Sequence, residues 1–228
     1  MDNFDLFPYD FTQWADSDGD GYGDQLNGTN GDSCVTIFGN SSIDRYGCVD
    51  SDGDGYSDPE LSWSIAQGAD AFKNESSQWA DSDGDGFGDN FEGVMVDFCT
   101  DEEGTSTLDR FGCPDLDGDG YSDPDAFWGY NKWDSLGYGP DMFYLDPTQW
   151  RDSDRDGYGH EINGNQADAC PDSSGTSILD RLGCRDTDSD GWSDPTDSWL
   201  AHPFGTADSF PNEAVSYTHL TLPTTPYV

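Results

Sequence analysis

Asp115, Asp117, Asp119 and Asp123 stand at positions 1, 3, 5 and 9 of a nine-residue run whose sixth residue is Gly120. In an irregular loop, carboxylates at alternate positions can turn inward together while glycine allows the sharp turn. The carbonyl of position 7 then faces the same point, and about six to eight oxygens around one point is what calcium requires. The run occurs six times. Position 1 is Asp16, Asp50, Asp81, Asp115, Asp152 and Asp186; position 3 is Asp18, Asp52, Asp83, Asp117, Asp154 and Asp188; position 5 is Asp20, Asp54, Asp85, Asp119, Asp156 and Asp190. Position 7 is aromatic throughout, as Tyr22, Tyr56, Phe87, Tyr121, Tyr158 and Trp192, so one residue can lend its carbonyl to an ion and its ring to packing. Position 9 is Asp24, Asp58, Asp89, Asp123 and Asp194, but His160 in the fifth copy, which makes that site the weakest, or one completed by Glu161 or water. These residues predict at least six bound Ca2+ ions.

The 228 residues carry 48 acids against 8 bases, a net charge of −40, and a third of the chain is apolar. Charge of that size repels itself and opposes compaction. Disorder or a halophilic surface would not place acids in fixed register with glycine and aromatics. Nucleic acid and anionic membrane need a basic patch that this chain lacks. No apolar run is long enough to span a membrane.

The elements that would position the acids repeat in their turn. Gln13-Trp14, Gln78-Trp79 and Gln149-Trp150 open three units spaced 65 and 71 residues apart. Each unit holds an acidic loop, a Cys, an Asp-Arg-x-Gly-Cys segment and a second acidic loop. The boundaries read as 1–11, the end of a preceding repeat; 12–76, 77–147 and 148–207, three repeats; and 208–214, the start of a truncated fourth. Residues 215–228 break the pattern and resemble a translated sequencing adapter, so this tail is expected to be non-native and the chain a fragment of a longer array. Asp58-Pro59, Asp123-Pro124 and Asp194-Pro195 read as an N-cap and first residue of single-turn helices that carry Trp63, Trp128 and Trp199. Trp14, Trp79 and Trp150 are expected to pack on a neighbouring loop's aromatic. Arg45, Arg110 and Arg181 are expected to pair with carboxylates left over from the loops. The six-residue excess of the second unit, around Tyr130 and Trp133 to Tyr138, reads as an exposed loop or contact surface.

The six cysteines form the pairs Cys34/Cys48, Cys99/Cys113 and Cys170/Cys184, each 14 positions apart, and equal spacing argues for one disulfide within each unit. A loop of that size gains roughly 3 kcal/mol on closure in the chain-entropy model. Zinc would want paired knuckles or clustered histidines, which are absent. Disulfides place the chain outside the cytoplasm, extracellular or at the cell surface. Asn27, Asn40 and Asn74 begin N-glycosylation sequons.

Tandem Asp-x-Asp-x-Asp-Gly loops with regularly spaced Cys resemble the thrombospondin type 3 repeat, over roughly residues 12–199. The resemblance implies calcium at Asp16, Asp18, Asp20, Asp24 and the matching residues of the other loops, and disulfide-linked Cys. It also implies little regular secondary structure. One departure is that the family's Asp at position 12 is here Asn27, Leu61, Glu92, Ala126, Asn163 or Asp197, while the Cys follows Asp32, Asp97 or Asp168. An EF-hand sensor would need Glu at position 12 and flanking amphipathic helices; Glu92 alone meets the first condition.

The expected fold is therefore an elongated, mostly irregular, calcium-stapled tandem repeat array with single-turn helices and disulfide-closed loops. Its expected role is structural and non-enzymatic: a rigid spacer, surface-layer part or fibre subunit that partners copies of itself or the rest of a longer array. A calcium-dependent adhesive or glycan-binding module using Trp128, Tyr130 and Trp133 is the alternative.

Overall fold

The structure, a computed structural model, describes residues 5–129, 139–201 and 204–214. Its contacts divide the chain into two compact units, Met1–Pro114 and Asp115–Val228. The tail 215–228 and most of the insertion, including Tyr130 and Trp133, lie outside the described residues.

A chain in which carboxylates alternate with glycine has neither the 3.6-residue nor the two-residue apolar period that regular elements require. Among the described residues the only helix is a 3-10 turn, Ile65–Gln67. Ser64 and Gln67 close it as a capping box. Among the described residues, backbone pairing of the strand type is limited to isolated bridges such as Gly23 with Gly31 and Gly88 with Val96. The fold is thus mostly irregular, and three disulfides join Cys34 to Cys48, Cys99 to Cys113 and Cys170 to Cys184.

The expected single-turn helices at 58–63, 123–128 and 194–199 are tight turns or bends instead. Glu60 and Trp63 exchange backbone hydrogen bonds at 2.8 and 3.1 Å, as do Thr196 and Trp199 at 2.8 and 3.2 Å, and Asp125 N–H donates to Trp128 O at 3.0 Å. The reason is that the intended caps are engaged elsewhere. Asp58 accepts from Ser51 N–H and Oγ–H, and Asp194 from Thr187 N–H and Oγ–H, so neither side chain is left to cap a helix.

The interior is polar. The buried apolar residues are Cys48, Ala69, Phe87, Cys113, Cys184 and Ala207, whereas Gln13, Gln78, Gln149 and a set of aspartates are buried to 2% exposure or less. Tyr9, Phe11 and Leu61 are almost fully exposed. Aromatic contacts fall between segments: Tyr56 stacks on Trp79 at 5.3 Å and Tyr121 on Trp150 at 5.0 Å, as the spacing suggested. Tyr22 meets Tyr46, and Phe87 stacks on Phe111 at 6.0 Å.

Candidate metal centres

Each acidic loop is closed by its own carboxylates. In the first, 16–24, Asp16 accepts from Gly19 N–H at 2.7 Å and Gly21 N–H at 3.0 Å, and Asp20 accepts from Tyr22 N–H at 2.8 Å. Asp24 reaches back to Ser17, taking its N–H and its hydroxyl. The same bonds recur at Asp50, Asp81, Asp115, Asp152 and Asp186 with the amide two residues past the glycine-rich turn's midpoint, at 2.9 to 3.1 Å. Position 4 has positive φ in the loops: Gly19 at 82°, but also Arg155 at 66° and Ser189 at 64°.

Closure in this way brings three carboxylates together. Ligand oxygens of Asp16, Asp18 and Asp20 lie within 4.8 Å of one another, and so do those of Asp50/Asp52/Asp54, Asp81/Asp83/Asp85, Asp115/Asp117/Asp119 and Asp152/Asp154/Asp156. The position 9 side chain instead sits over position 2 in the loops of Asp24, Asp58, Asp89 and Asp194. His160 takes that place in the fifth loop, its Nδ1 2.9 Å from Ser153 Oγ.

The internal bonds leave oxygens over. Oδ2 of Asp18, Asp52, Asp83, Asp117 and Asp188 is buried without a hydrogen-bond partner. Burial is the chief reason that Asp18, Asp83 and Asp117 are pushed above the usual carboxylate range, and neighbouring carboxylates add to it. An orphaned buried carboxylate oxygen is costly unless a proton or a cation meets it. Converging hard oxygens suit calcium, so the residues present fit that ion, with positions 1, 3 and 5 as its holders.

The six loops are of two kinds. In the first loop of each unit position 8 is Gly23, Gly88 or Gly159, where an added Cβ would stand 2.0 to 2.1 Å from the buried amide of Gln13, Gln78 or Gln149. That amide bridges two backbone segments: Gln78 accepts from Asn90 N–H at 2.9 Å and donates to Asn90 O at 3.1 Å and Val94 O at 2.9 Å. In the second loops position 8 is a fully buried serine, Ser57, Ser122 or Ser193. Ser57 and Ser193 each give both N–H and Oγ–H to the aspartate of the Asp-Arg segment, Asp44 and Asp180. Trp63 and Trp199 donate indole N–H to the same carboxylates.

The arginines belong to this second arrangement. Arg45 lies over the Trp63 ring at 5.2 Å and pairs with Glu60 at 2.7 Å, outside the acidic loops. Arg181 lies over Trp199 at 5.2 Å, and both Arg110 and Arg181 donate to a disulfide sulfur, Cys99 and Cys170, at 3.0 Å. A serine fully buried behind each disulfide, Ser41, Ser106 or Ser177, accepts from the N–H of Cys48, Cys113 or Cys184.

Beside each loop stands one further buried carboxylate that motif spacing did not single out as a ligand. Asp32, Asp70, Asp97, Asp141, Asp168 and Asp208 are at most 5% exposed. Each donates its N–H to the position 8 carbonyl of the preceding loop at 2.7 to 3.0 Å. Each accepts the N–H two residues on at Oδ1, as Asp32 does from Cys34 and Asp70 from Phe72 at 2.7 Å. Burial, with the loop carboxylates facing them, pushes Asp32, Asp70, Asp97 and Asp168 up to about 6 and Asp141 up to about 8. The signals that could have found them are two, the Asp-x-Cys of Asp32, Asp97 and Asp168 and the Asp-x-Phe of Asp70, Asp141 and Asp208; the second kind follows its loops at irregular distance.

Asn27, Asn40 and Asn74 are all exposed. No helix among the described residues is long and apolar enough to cross a membrane. No family model matches the chain, and comparison with curated proteins returns no match.

Proposed function

We propose that the chain is an extracellular, non-enzymatic calcium-binding structural protein of tandem repeats resembling the thrombospondin type 3 type, serving as a rigid spacer, surface-layer part or fibre subunit. The observation that carries this reading is the convergence of positions 1, 3 and 5 around buried oxygens left without a partner, repeated from loop to loop. A protein whose interior is glutamine, aspartate and serine gains little from apolar burial and is opposed by a net charge of −40. Divalent cations supply what is missing: they neutralise the loops and satisfy the orphaned oxygens. Each independent site with ion at tenfold its Kd adds roughly 1.4 kcal/mol. The three disulfides support a compartment outside the cytoplasm, where such an ion is abundant.

The test is thermal unfolding of the full chain followed by near-UV circular dichroism, since eight Trp report packing. Expected is loss of the aromatic signal and of the cooperative transition after chelation, with recovery on adding calcium but not magnesium. An identical melt with and without chelator overturns the reading.

A further inference from the structure

Six aspartates occupy one position relative to six loops although 16, 20, 16, 26, 16 and 22 residues separate them from position 1. What fixes them is the backbone. The N–H of Asp32 meets Gly23 O at 2.8 Å, that of Asp70 meets Ser57 O at 2.9 Å, and those of Asp97 and Asp141 meet Gly88 O and Ser122 O at 2.9 Å. Oδ1 is then occupied by a local N–H. Oδ2 of Asp32, Asp70, Asp97 and Asp141 is buried with no partner, in residues at most 1% exposed. For Asp32 and Asp97 the direction is shown by the glycine of the Asp-Arg segment, and for Asp70 and Asp141 by the repulsion they feel from Asp54 and Asp52, and from Asp119 and Asp117, in their loops. A Cβ at Gly47 would lie 2.3 Å from Asp32 Oδ1 and 3.0 Å from Asp20 Oδ2; at Gly112 it would lie 2.3 Å from Asp97 Oδ1 and 3.2 Å from Asp85 Oδ2. In these two the outlying carboxylate and the position 5 carboxylate therefore lie beside the same glycine.

A carboxylate held this far from solvent and aimed at others of like charge must meet a proton or a cation. A structural aspartate would spend both oxygens on hydrogen bonds, as Asp44 and Asp58 do. We propose that Asp32, Asp70, Asp97 and Asp141 are divalent-cation ligands, each reaching with Oδ2 from outside the nine-residue motif into the loop whose position 8 carbonyl it bonds. This inference rests on the calcium reading above. It makes every such site a clasp between a loop and a segment well downstream, so the ion joins parts of the chain that the motif alone would leave independent.

The full chain and its Asp32→Asn/Asp70→Asn/Asp97→Asn/Asp141→Asn variant would be titrated with Ca2+ by isothermal calorimetry, with folding checked by near-UV dichroism. Asparagine keeps the shape and the Oδ1 acceptor but removes the charge. The proposal expects four sites to weaken at least tenfold or to vanish from the stoichiometry. A folded variant with the parent's isotherm overturns it and assigns these residues a proton in place of an ion. Should the fourfold variant not fold, Asp70→Asn alone decides: one site lost or weakened tenfold supports the ligand role, and an unchanged isotherm removes it. A parent chain that takes up no Ca2+ would instead overturn the function proposed above, so the two failures are distinct.

Discussion

Gly84 and Ser189 occupy the same turn in different loops, with φ of 90° and 64°. No atom lies within 4 Å of a Cβ built on Gly84, so Gly84→Ala tests backbone conformation free of any clash. It should cost about 1 kcal/mol in calcium, read as a lower midpoint in urea unfolding. Ser189→Gly relieves the same strain and should raise that midpoint, by the equivalent of up to about 1 kcal/mol of stability. Gln78 is the opposite case, since its value lies in contacts. Replacing it with Leu takes the partner from Asn90 N–H, Asn90 O and Val94 O in a part-buried place, and should destabilise by about 2 kcal/mol in the same measurement. The grouping of the carboxylates at positions 1, 3 and 5 was legible at this scale because the acids recur in register. The clamp role of Gln78 was not, because a glutamine before a tryptophan says nothing about which distant amides it will meet.

At the scale of the element, the loop and the turn behind it are one unit. Asp58 and Asp194 show why the helical reading failed: Asp-Pro suits a helix start only while the aspartate is free, and here residues seven places upstream hold it. The irregular backbone was what the family resemblance implied, and the pairing of cysteines within each unit followed from equal spacing. The alternation of glutamine-clamped and serine-anchored loops did not, since both kinds share the acidic motif and differ at position 8, a residue that contributes no ligand in either reading. The arginines illustrate the same limit. Counting charges suggested a surplus acid as partner, which Arg45 finds in Glu60, but it did not suggest the indole face and the disulfide sulfur that the arginines also meet.

For the whole molecule, the buried aspartates set how acidity acts on the chain. In the cation-free protein their pKa values stand above the unfolded value of about 3.9, near 6 for Asp32, Asp70, Asp97 and Asp168 and near 8 for Asp141. The native state thus holds protons more tightly than the unfolded chain does. Stability from these groups is fully present below about pH 4 and is lost as pH rises through about 6, and for Asp141 through about 8. Protein stripped of metal should accordingly melt at a higher temperature near pH 5 than near pH 8. In saturating calcium the order should reverse, because protons then compete with the ion; melts at the two pH values, with and without calcium, check both signs. The backbone bond from each buried aspartate to the position 8 carbonyl has a consequence for change over time. It holds one geometry while the intervening stretch runs from 16 residues between Asp16 and Asp32 to 26 between Asp115 and Asp141. In the second loop of each unit, where the spacing varies, the part of that stretch beyond the nine-residue loop is therefore a tolerant insertion point, where new surface can be acquired or an epitope grafted while the clasp on either side stays in register.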